Sequence, residues 1–296
     1  MERTDPGFRR VMEAVDVFRL RTPDDGTFLH EDRFLDFYSA AGIRAGIEAY
    51  GLAERLAELG LSDFTIHIDR EDAFHHRLVL ALGDRDDDDH RILDLRAHLR
   101  DVVVDVGGAP RTFHALGIDW LAMQNPRAAF TAARPKLPGQ RHPGGGLGRA
   151  MHNILLIMAM RIGRDALVAV PQRFHLARLY HRAGYRFARA DENRALDEVG
   201  AALRGLSFAA GAWAVERGCV RHAPSTERAG EPFAFVPKEM LLPIGVALKD
   251  VLRDAASALV VTVESALSPS FVVDTEALRR SLLAEPVPGL DPTNLG

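Results

Sequence analysis

The sequence predicts an α/β (α+β) fold, in which helices flank a central, mostly antiparallel sheet. Apolar residues recur at helical spacing between Glu31 and Gly60. Short segments rich in alternating and β-branched residues then follow one another from Phe64 to Met123. Helical spacing returns after Leu147, which places helices both before and after the strands.

Length and composition bound the organisation of the chain. It has 296 residues, of which 47% are hydrophobic and 26% are charged, as in an ordinary globular protein. At roughly 150 residues per domain, two domains are expected. We predict a loose N-terminal arm over residues 1–25, a main domain over residues 26–190 and a mainly helical C-terminal region over residues 191–296.

Charge and apolar patterning exclude several classes of protein. The 37 basic and 41 acidic residues give a net charge of -4, which argues against nucleic-acid binding. Cys219 has no second cysteine to pair with, as is typical of a reducing cytoplasm. The N-terminus lacks the apolar stretch of a signal peptide, and charges interrupt the apolar segment Met240–Leu267. We therefore expect a cytoplasmic protein with no membrane and no nucleic-acid partner.

The first half of the chain contains two predicted helices followed by a meander of strands. The helices are expected between Glu31 and Gly60, where Gly60 is a typical C-terminal stop. Their apolar faces are formed by Phe34, Phe37 and Tyr38 and by Leu52, Leu56 and Leu59. The predicted strands are Phe64–Ile68, Arg77–Leu82, Ile92–Leu99, Val102–Val106 and Phe113–Met123. The acidic run Asp86–Asp89 is expected to be a hairpin turn or a solvated loop.

The second half is expected to return to helices, with short strands between them. A loop rich in proline and glycine ends near Gly148. The predicted elements after it are the helix Leu147–Ile162, the strand Ala166–Val170, the helix Phe174–Arg182, the strand Tyr185–Ala188 and the helices Asp191–Leu203, Lys238–Leu267 and Asp274–Leu283.

Glycines crowd the entrance of the helix that begins near Leu147. Backbone N–H groups at a helix N-terminus favour an anion, and Arg141 and Arg149 flank this loop. A nucleotide P-loop is excluded, because Arg149 follows Gly148 where lysine and then serine or threonine are required. A dinucleotide fingerprint is excluded as well, because Arg149 occupies the position of its third glycine.

Two motifs in order resemble the GNAT superfamily of acyl-CoA-dependent N-acyltransferases. The loop Arg141–Gly146, RHPGGG, is similar to the family's pyrophosphate loop, and Leu179–Tyr185, LYHRAGY, is similar to the core of its later helix-to-strand motif. The register Gly146–Met151 fits the loop motif as well. The chain departs from the family in the insert Pro126–Pro138, and also in having Arg173 and Leu176 where the family has asparagine and alanine.

The resemblance covers residues 34–187 and implies a GNAT-like domain with specific roles for its residues. The CoA pyrophosphate would be held by Arg141, Gly144, Gly145, Gly146, Leu147, Gly148 and Arg149. The acyl group would lie beside Val168, Ala169 and Val170. Tyr180 would protonate the departing thiolate, and a base on the preceding strand, Asp119 or His114, would take the proton of the amine.

The resemblance thus implies transfer of an acetyl group from acetyl-CoA, or of another acyl group from its CoA ester, to a small-molecule or peptide amine, without a metal. Three alternatives remain open: a GNAT-like ligand-binding or interaction module without catalysis, an acyl-carrier-protein donor, and dimerisation through Lys238–Leu267.

No metal site is expected from the histidine spacing. His175 and His181 are six residues apart and do not share a helical face. His75 and His76 are adjacent and point apart on a strand, while His67 with Asp69 lacks a third ligand.

Overall fold

The structure is a computed structural model that describes residues 33–70, 74–106, 109–259 and 270–296. The predicted arm, residues 1–25, lies outside the described residues. The strands are β1 (Phe64–Arg70), β2 (His75–Leu82), β3 (Arg91–Val106), β4 (Ala109–Met123), β5 (Ala166–Ala169), β6 (Arg186–Phe187), β7 (Val220–His222), β8 (Met240–Pro243) and β9 (Phe271–Val273).

Helices lie before, between and after these strands, which confirms a mixed α/β protein with a mostly antiparallel central sheet. They are α1 (Ala40–Ala49), α2 (Leu52–Glu58), α3 (Gly148–Arg161), α4 (Phe174–Arg182), α5 (Ala190–Ala202), α6 (Phe208–Glu216), α7 (Val246–Leu259) and α8 (Thr275–Ala284). Among the described helices, none is both long and apolar enough to cross a membrane.

Seven strands form the main sheet in the order β1-β2-β3-β4-β5-β8-β6. The pair β4–β5 is parallel, and the other neighbours in this sheet are antiparallel. Helix α3 connects β4 to β5, as a parallel pair requires a crossover. Strands β7 and β9 pair with each other in a small second sheet.

The strand β8 is an element that the sequence did not predict. We expected residues 238–267 to be predominantly helical, and α7 occupies most of their described part, but Met240–Pro243 lies between β5 and β6, with Leu242 opposite Leu167 and Met240 opposite Phe187. A short apolar run fits a buried strand and a helix equally well by periodicity alone. The region 191–296, which we predicted to be mainly helical, contributes helices α5 to α8 (α5 from Ala190) and also supplies a strand to the main sheet.

The segment around the first described helix also differs from the prediction. Residues 34–38 form a turn closed by a bridge between Phe34 and Tyr38, and α1 begins only after Ser39, whose side chain accepts a hydrogen bond from the backbone N–H of Gly42. A serine at the N-cap is a strong start signal, so the helix begins there. Phe37, expected on the buried face, is 51% exposed.

Apolar residues on the two faces of the sheet form two cores. The larger core joins one face of the sheet to helices α1 to α6 and α8, and it includes Leu80, Leu95, Leu116 and Leu155. On the opposite face, Leu248 of α7 packs on β4 and β5. The buried apolar side chains of α7 that the structure describes therefore pack against the sheet of the same chain.

The acidic run between β2 and β3 is a hairpin tip, as expected. It is better tied down than a solvated loop, because Asp86 accepts hydrogen bonds from both Arg77 and Arg91. Arg77 also reaches Asp94 on β3 at 3.0 Å. These contacts hold the tip against the strands that it joins.

Candidate functional site

The parallel strands β4 and β5 are paired over only four residues. The last pair joins Ile118 to Ala169, and β5 ends there, while β4 continues to Met123. Beyond Ile118, no described strand lies against the β5 side of β4. The carboxyl ends of the parallel strands therefore border a gap in the sheet, and that is where open α/β sheets place their ligands.

A β-bulge on β4 lies directly beside this gap. Trp120 pairs with Arg96 and Ile118 pairs with Ala97, so Asp119 has no opposite residue on β3. An extra residue of this kind breaks the strict alternation of side chains between the two faces of a strand at Asp119. Bulges of this kind re-aim a side chain and are common near active sites.

Asp119 contacts His98, a residue that our sequence analysis did not select. Asp119 Oδ2 lies 2.7 Å from His98 Nδ1, and both groups are partly accessible to solvent. His98 stands opposite Gly117 in the sheet, and His75 stands opposite His98. A carboxylate hydrogen-bonded to one ring nitrogen fixes the tautomer of the imidazole and leaves the other nitrogen to take a proton.

His75 brings a third polar group to this pair. One ligand atom each from His75, His98 and Asp119 lies within 4.8 Å of the others. Histidine nitrogen and carboxylate oxygen are ligand types that zinc accepts. The three residues are far apart in sequence, so their spacing did not predict this cluster. The hydrogen bond between His98 and Asp119 already joins two of the three groups, and the absence of a metal stays a prediction.

The glycine loop is tied to the end of β4. The backbone N–H of Asn125 donates to the carbonyl of Pro143 at 2.7 Å. Helix α3 begins at Gly148, its N-cap residue Leu147 offers no side-chain cap, and its first turn carries no acidic residue. The N–H groups of this turn are thus left without a side-chain acceptor, as in helix N-termini that bind anions.

The space in front of α3 is open at two of the predicted glycines. A β-carbon on Gly146 or Gly148 would meet no heavy atom within 4 Å, and Gly146 has the positive φ of 72° that favours glycine. Gly145 is closely packed, because a β-carbon there would lie 3.0 Å from Leu59 Cδ1. Gly144 is also half-buried.

The two arginines of the loop differ in their availability. Arg141 is paired with the hairpin tip, at 2.7 Å from Asp88 and 3.1 Å from Asp89. Arg149 lies exposed in the first turn of α3 and makes no ion pair with any residue that the structure describes. Arg149 is therefore the cation that remains free to meet an anion at this helix end.

Tyr180 lies in a largely apolar environment on α4. Its ring centroid is 5.2 Å from that of Tyr185, and it packs against the larger core. Burial raises the pKa of the Tyr180 hydroxyl, so the phenol keeps its proton at neutral pH. Asp119, by contrast, contacts His98 on the opposite face, so the structure does not bring the two predicted catalytic residues into contact.

The predicted acyl-binding residues of β5 are mostly committed to packing. Val168 belongs to the core under α7 and Ala169 to the larger core. Val170 follows the last residue of β5 and is only half-buried, so it is the one of the three that borders the gap. The other base candidate, His114, lies at the paired end of β4, 2.7 Å from Asp101 and away from the gap.

No protein-family model matches this chain, and no curated protein matches it either.

Proposed function

We propose that the protein is an acyl-CoA-dependent N-acyltransferase with a GNAT-like domain, which transfers an acetyl group to a primary amine. The observation that carries the proposal is the gap at the carboxyl ends of β4 and β5, bordered by Asp119 and Val170. The uncapped N-terminus of α3 is tied to the same end of β4 through Asn125 and Pro143. If the helix end binds phosphate and the gap accepts an extended chain, the two would meet at the carboxyl ends of β4 and β5.

The donor would bind with its pyrophosphate at the first turn of α3. The N–H groups of that turn and the charge of Arg149 favour a dianion there. The pantetheine arm would enter the gap and place the thioester beside Val170. Leu147 serves by packing the helix end into the larger core, since its side chain is buried.

Transfer of the acyl group from the thioester to the amine requires one general base and one general acid. The pair His98–Asp119 accepts the proton of the substrate ammonium, and the free amine attacks the thioester carbonyl. A carbon–nitrogen bond forms, the carbon–sulfur bond breaks, and Tyr180 supplies the proton that the leaving thiolate takes up. The second proton, which the nitrogen loses as it becomes an amide, passes to solvent, and solvent returns a proton to the Tyr180 phenolate. Because the two sites lie on opposite faces of the sheet, donor and acceptor would meet through the gap.

One contact favours the second candidate, a domain that takes its acyl group from a carrier protein or only binds a ligand. Arg141, expected to bind pyrophosphate, is engaged by Asp88 and Asp89. A donor without a CoA nucleotide would not need this arginine.

Isothermal titration with acetyl-CoA separates these candidates. Gly148→Glu places a carboxylate in open space at the helix entrance, and Gly148→Ala adds only a methyl group at the same position. We expect saturable binding to the native protein and to Gly148→Ala, and none to Gly148→Glu.

Thiol release upon addition of amines then tests transfer, with little background because the only cysteine, Cys219, is buried. Absence of binding to the folded native protein would exclude acetyl-CoA as the donor and favour the second candidate. Equal binding of acetyl-CoA by Gly148→Ala and Gly148→Glu would show that the pyrophosphate does not bind at this helix end.

A further inference from the structure

A second cavity lies away from the β4–β5 gap, between α4, α5 and α6. Its volume is about 240 Å³, and three arginines line it: Arg178 and Arg182 on α4, and Arg204 just after α5. Gly200 on α5 makes room for one of them, because a β-carbon there would lie 3.3 Å from Arg178 Cζ. The cavity is therefore built around guanidinium groups.

Among the residues that the structure describes, no carboxylate lines this cavity. In the described part of the chain, none of the three arginines forms an ion pair within 4.0 Å, and the nearby Asp197 lies 3.7 Å from His181 instead. Burial lowers the pKa of Arg178, the positive charge of Arg182 lowers it further, and the negative charge of Asp197 partly offsets both effects. Arg178 is half-buried, whereas Arg182 and Arg204 are exposed, so the unfavourable charge is concentrated at Arg178, and an anion between the three guanidinium groups would stabilise it.

A buried histidine completes the lining. His175 is only 4% exposed, its ring meets that of Phe208 edge-on at 6.4 Å, and it makes no hydrogen bond to a described residue. Burial lowers the pKa of His175 to about 4, with a further contribution from Arg173. The imidazole is therefore neutral at pH 7 and has an N–H group available for an acceptor in the cavity.

We propose that this cavity is a binding site for a phosphate-type oxyanion, held by Arg178, Arg182 and Arg204 with His175 as a neutral donor. One guanidinium group can donate two parallel N–H···O hydrogen bonds to a phosphoryl group. Three guanidinium groups therefore offer enough donors and positive charge for a dianion. The volume is below that of typical sites for drug-sized ligands, so a free phosphate, a pyrophosphate or a small phosphomonoester fits it. The site is independent of the proposed acyltransferase chemistry.

Titration calorimetry of the full chain with inorganic phosphate, and then with pyrophosphate, tests the proposal. The measurements are made in the Gly148→Glu background, so that the entrance of α3 does not contribute. We expect saturable binding of one anion per chain. The double variant Arg182→Gln/Arg204→Gln should weaken it at least tenfold, whereas Arg55→Gln/Arg194→Gln, which removes the same charge outside the cavity, should leave it unchanged.

A nuclear magnetic resonance titration of His175 provides a readout at the site itself. A bound dianion favours the imidazolium, so the pKa of His175 should rise from about 4 when phosphate is added. Lack of saturable binding, equal weakening in both double variants, or an unchanged His175 titration in saturating phosphate would each overturn the proposal.

Discussion

The imidazole of His98 occupies the space that a side chain on Gly117 would need. A β-carbon at Gly117 would lie 2.6 Å from His98 Cε1, closer than any such contact in real proteins. A glycine inside a strand often marks a close approach of another group. Here it lets the ring lie across β4 and reach Asp119 beside the bulge.

Gly117→Ala should therefore displace His98 and break its hydrogen bond with Asp119. The overpacked methyl should cost about 1–3 kcal/mol of unfolding free energy, measured by urea denaturation. Gly148→Ala is the matched control, because its methyl group meets no atom within 4 Å, and it should leave the unfolding free energy unchanged or raise it by up to about 1 kcal/mol. Equal stability of the two variants would contradict the placement of His98.

Tyr180→Phe tests the proposed acid. The ring and its contact with Tyr185 are retained, so stability should change little. Loss of the proton donor should lower kcat by roughly 100-fold or more with little change in KM. The same change at the neighbouring Tyr185 should leave kcat near the native value, and equal effects at both positions would assign Tyr180 to packing alone.

Charge removal at the glycine loop should affect its two arginines unequally. Arg149→Gln should weaken acetyl-CoA binding about tenfold, the range of one charge-assisted hydrogen bond. Arg141→Gln should weaken it less, because this guanidinium is already held by Asp88 and Asp89. Calorimetry at two salt concentrations measures both effects, and the reverse order would show that Arg141 leaves the hairpin tip to bind the donor.

Strand β8 should be essential for folding. Met240 is fully buried between β5 and β6, so Met240→Asp would bury an unpaired charge and should cost more than about 4 kcal/mol. Val236→Asp, four residues earlier and 60% exposed, should be tolerated. Circular dichroism and thermal melting compare the two variants. A cooperative, native-like melt of Met240→Asp would contradict the placement of Met240 in a buried strand between β5 and β6.

Acid should destabilise the protein partly through His175. Its pKa is lowered to about 4 in the folded state, so the unfolded chain binds its proton first as the pH falls below about 6.5. Stability from this group is present at pH 7 and declines towards pH 4, by about 2 kcal/mol at pH 5. Urea denaturation at pH 7 and pH 5 measures how much unfolding free energy is lost on acidification. This loss should be about 2 kcal/mol smaller in His175→Gln than in the native protein. Equal losses in both proteins would contradict a buried neutral imidazole.

Periodicity predicted the elements well where one chain segment alone determines them. The helix Phe174–Arg182 has the predicted bounds, because its apolar stripe lies within the helix and Gly184, with a positive φ, follows two residues after its end. The strand Met240–Pro243 was predicted as helix, because its partners β5 and β6 lie far away in sequence. Its conformation follows from tertiary pairing, which a local pattern does not contain.

The candidate site was predictable only in part, for the same reason. The glycines before α3 and Tyr180 belong to local motifs and were selected. His98 was not, because its role depends on a register that sets it opposite Gly117 and on a bulge that turns Asp119 towards it. The signal in the sequence was the glycine within a predicted strand, which indicates a bulge or a close backbone approach.

The position of β8 in the sheet also bears on the order in which the chain can be completed during synthesis. Residues 166–169 and 186–187 leave the ribosome more than fifty residues before residues 240–243, which must pair with both. Until then, two strand edges have unpaired backbone groups, and such edges invite pairing with other chains. The nascent protein therefore passes through a stage that is open to aggregation, and slower translation between residues 188 and 240 would lengthen that stage.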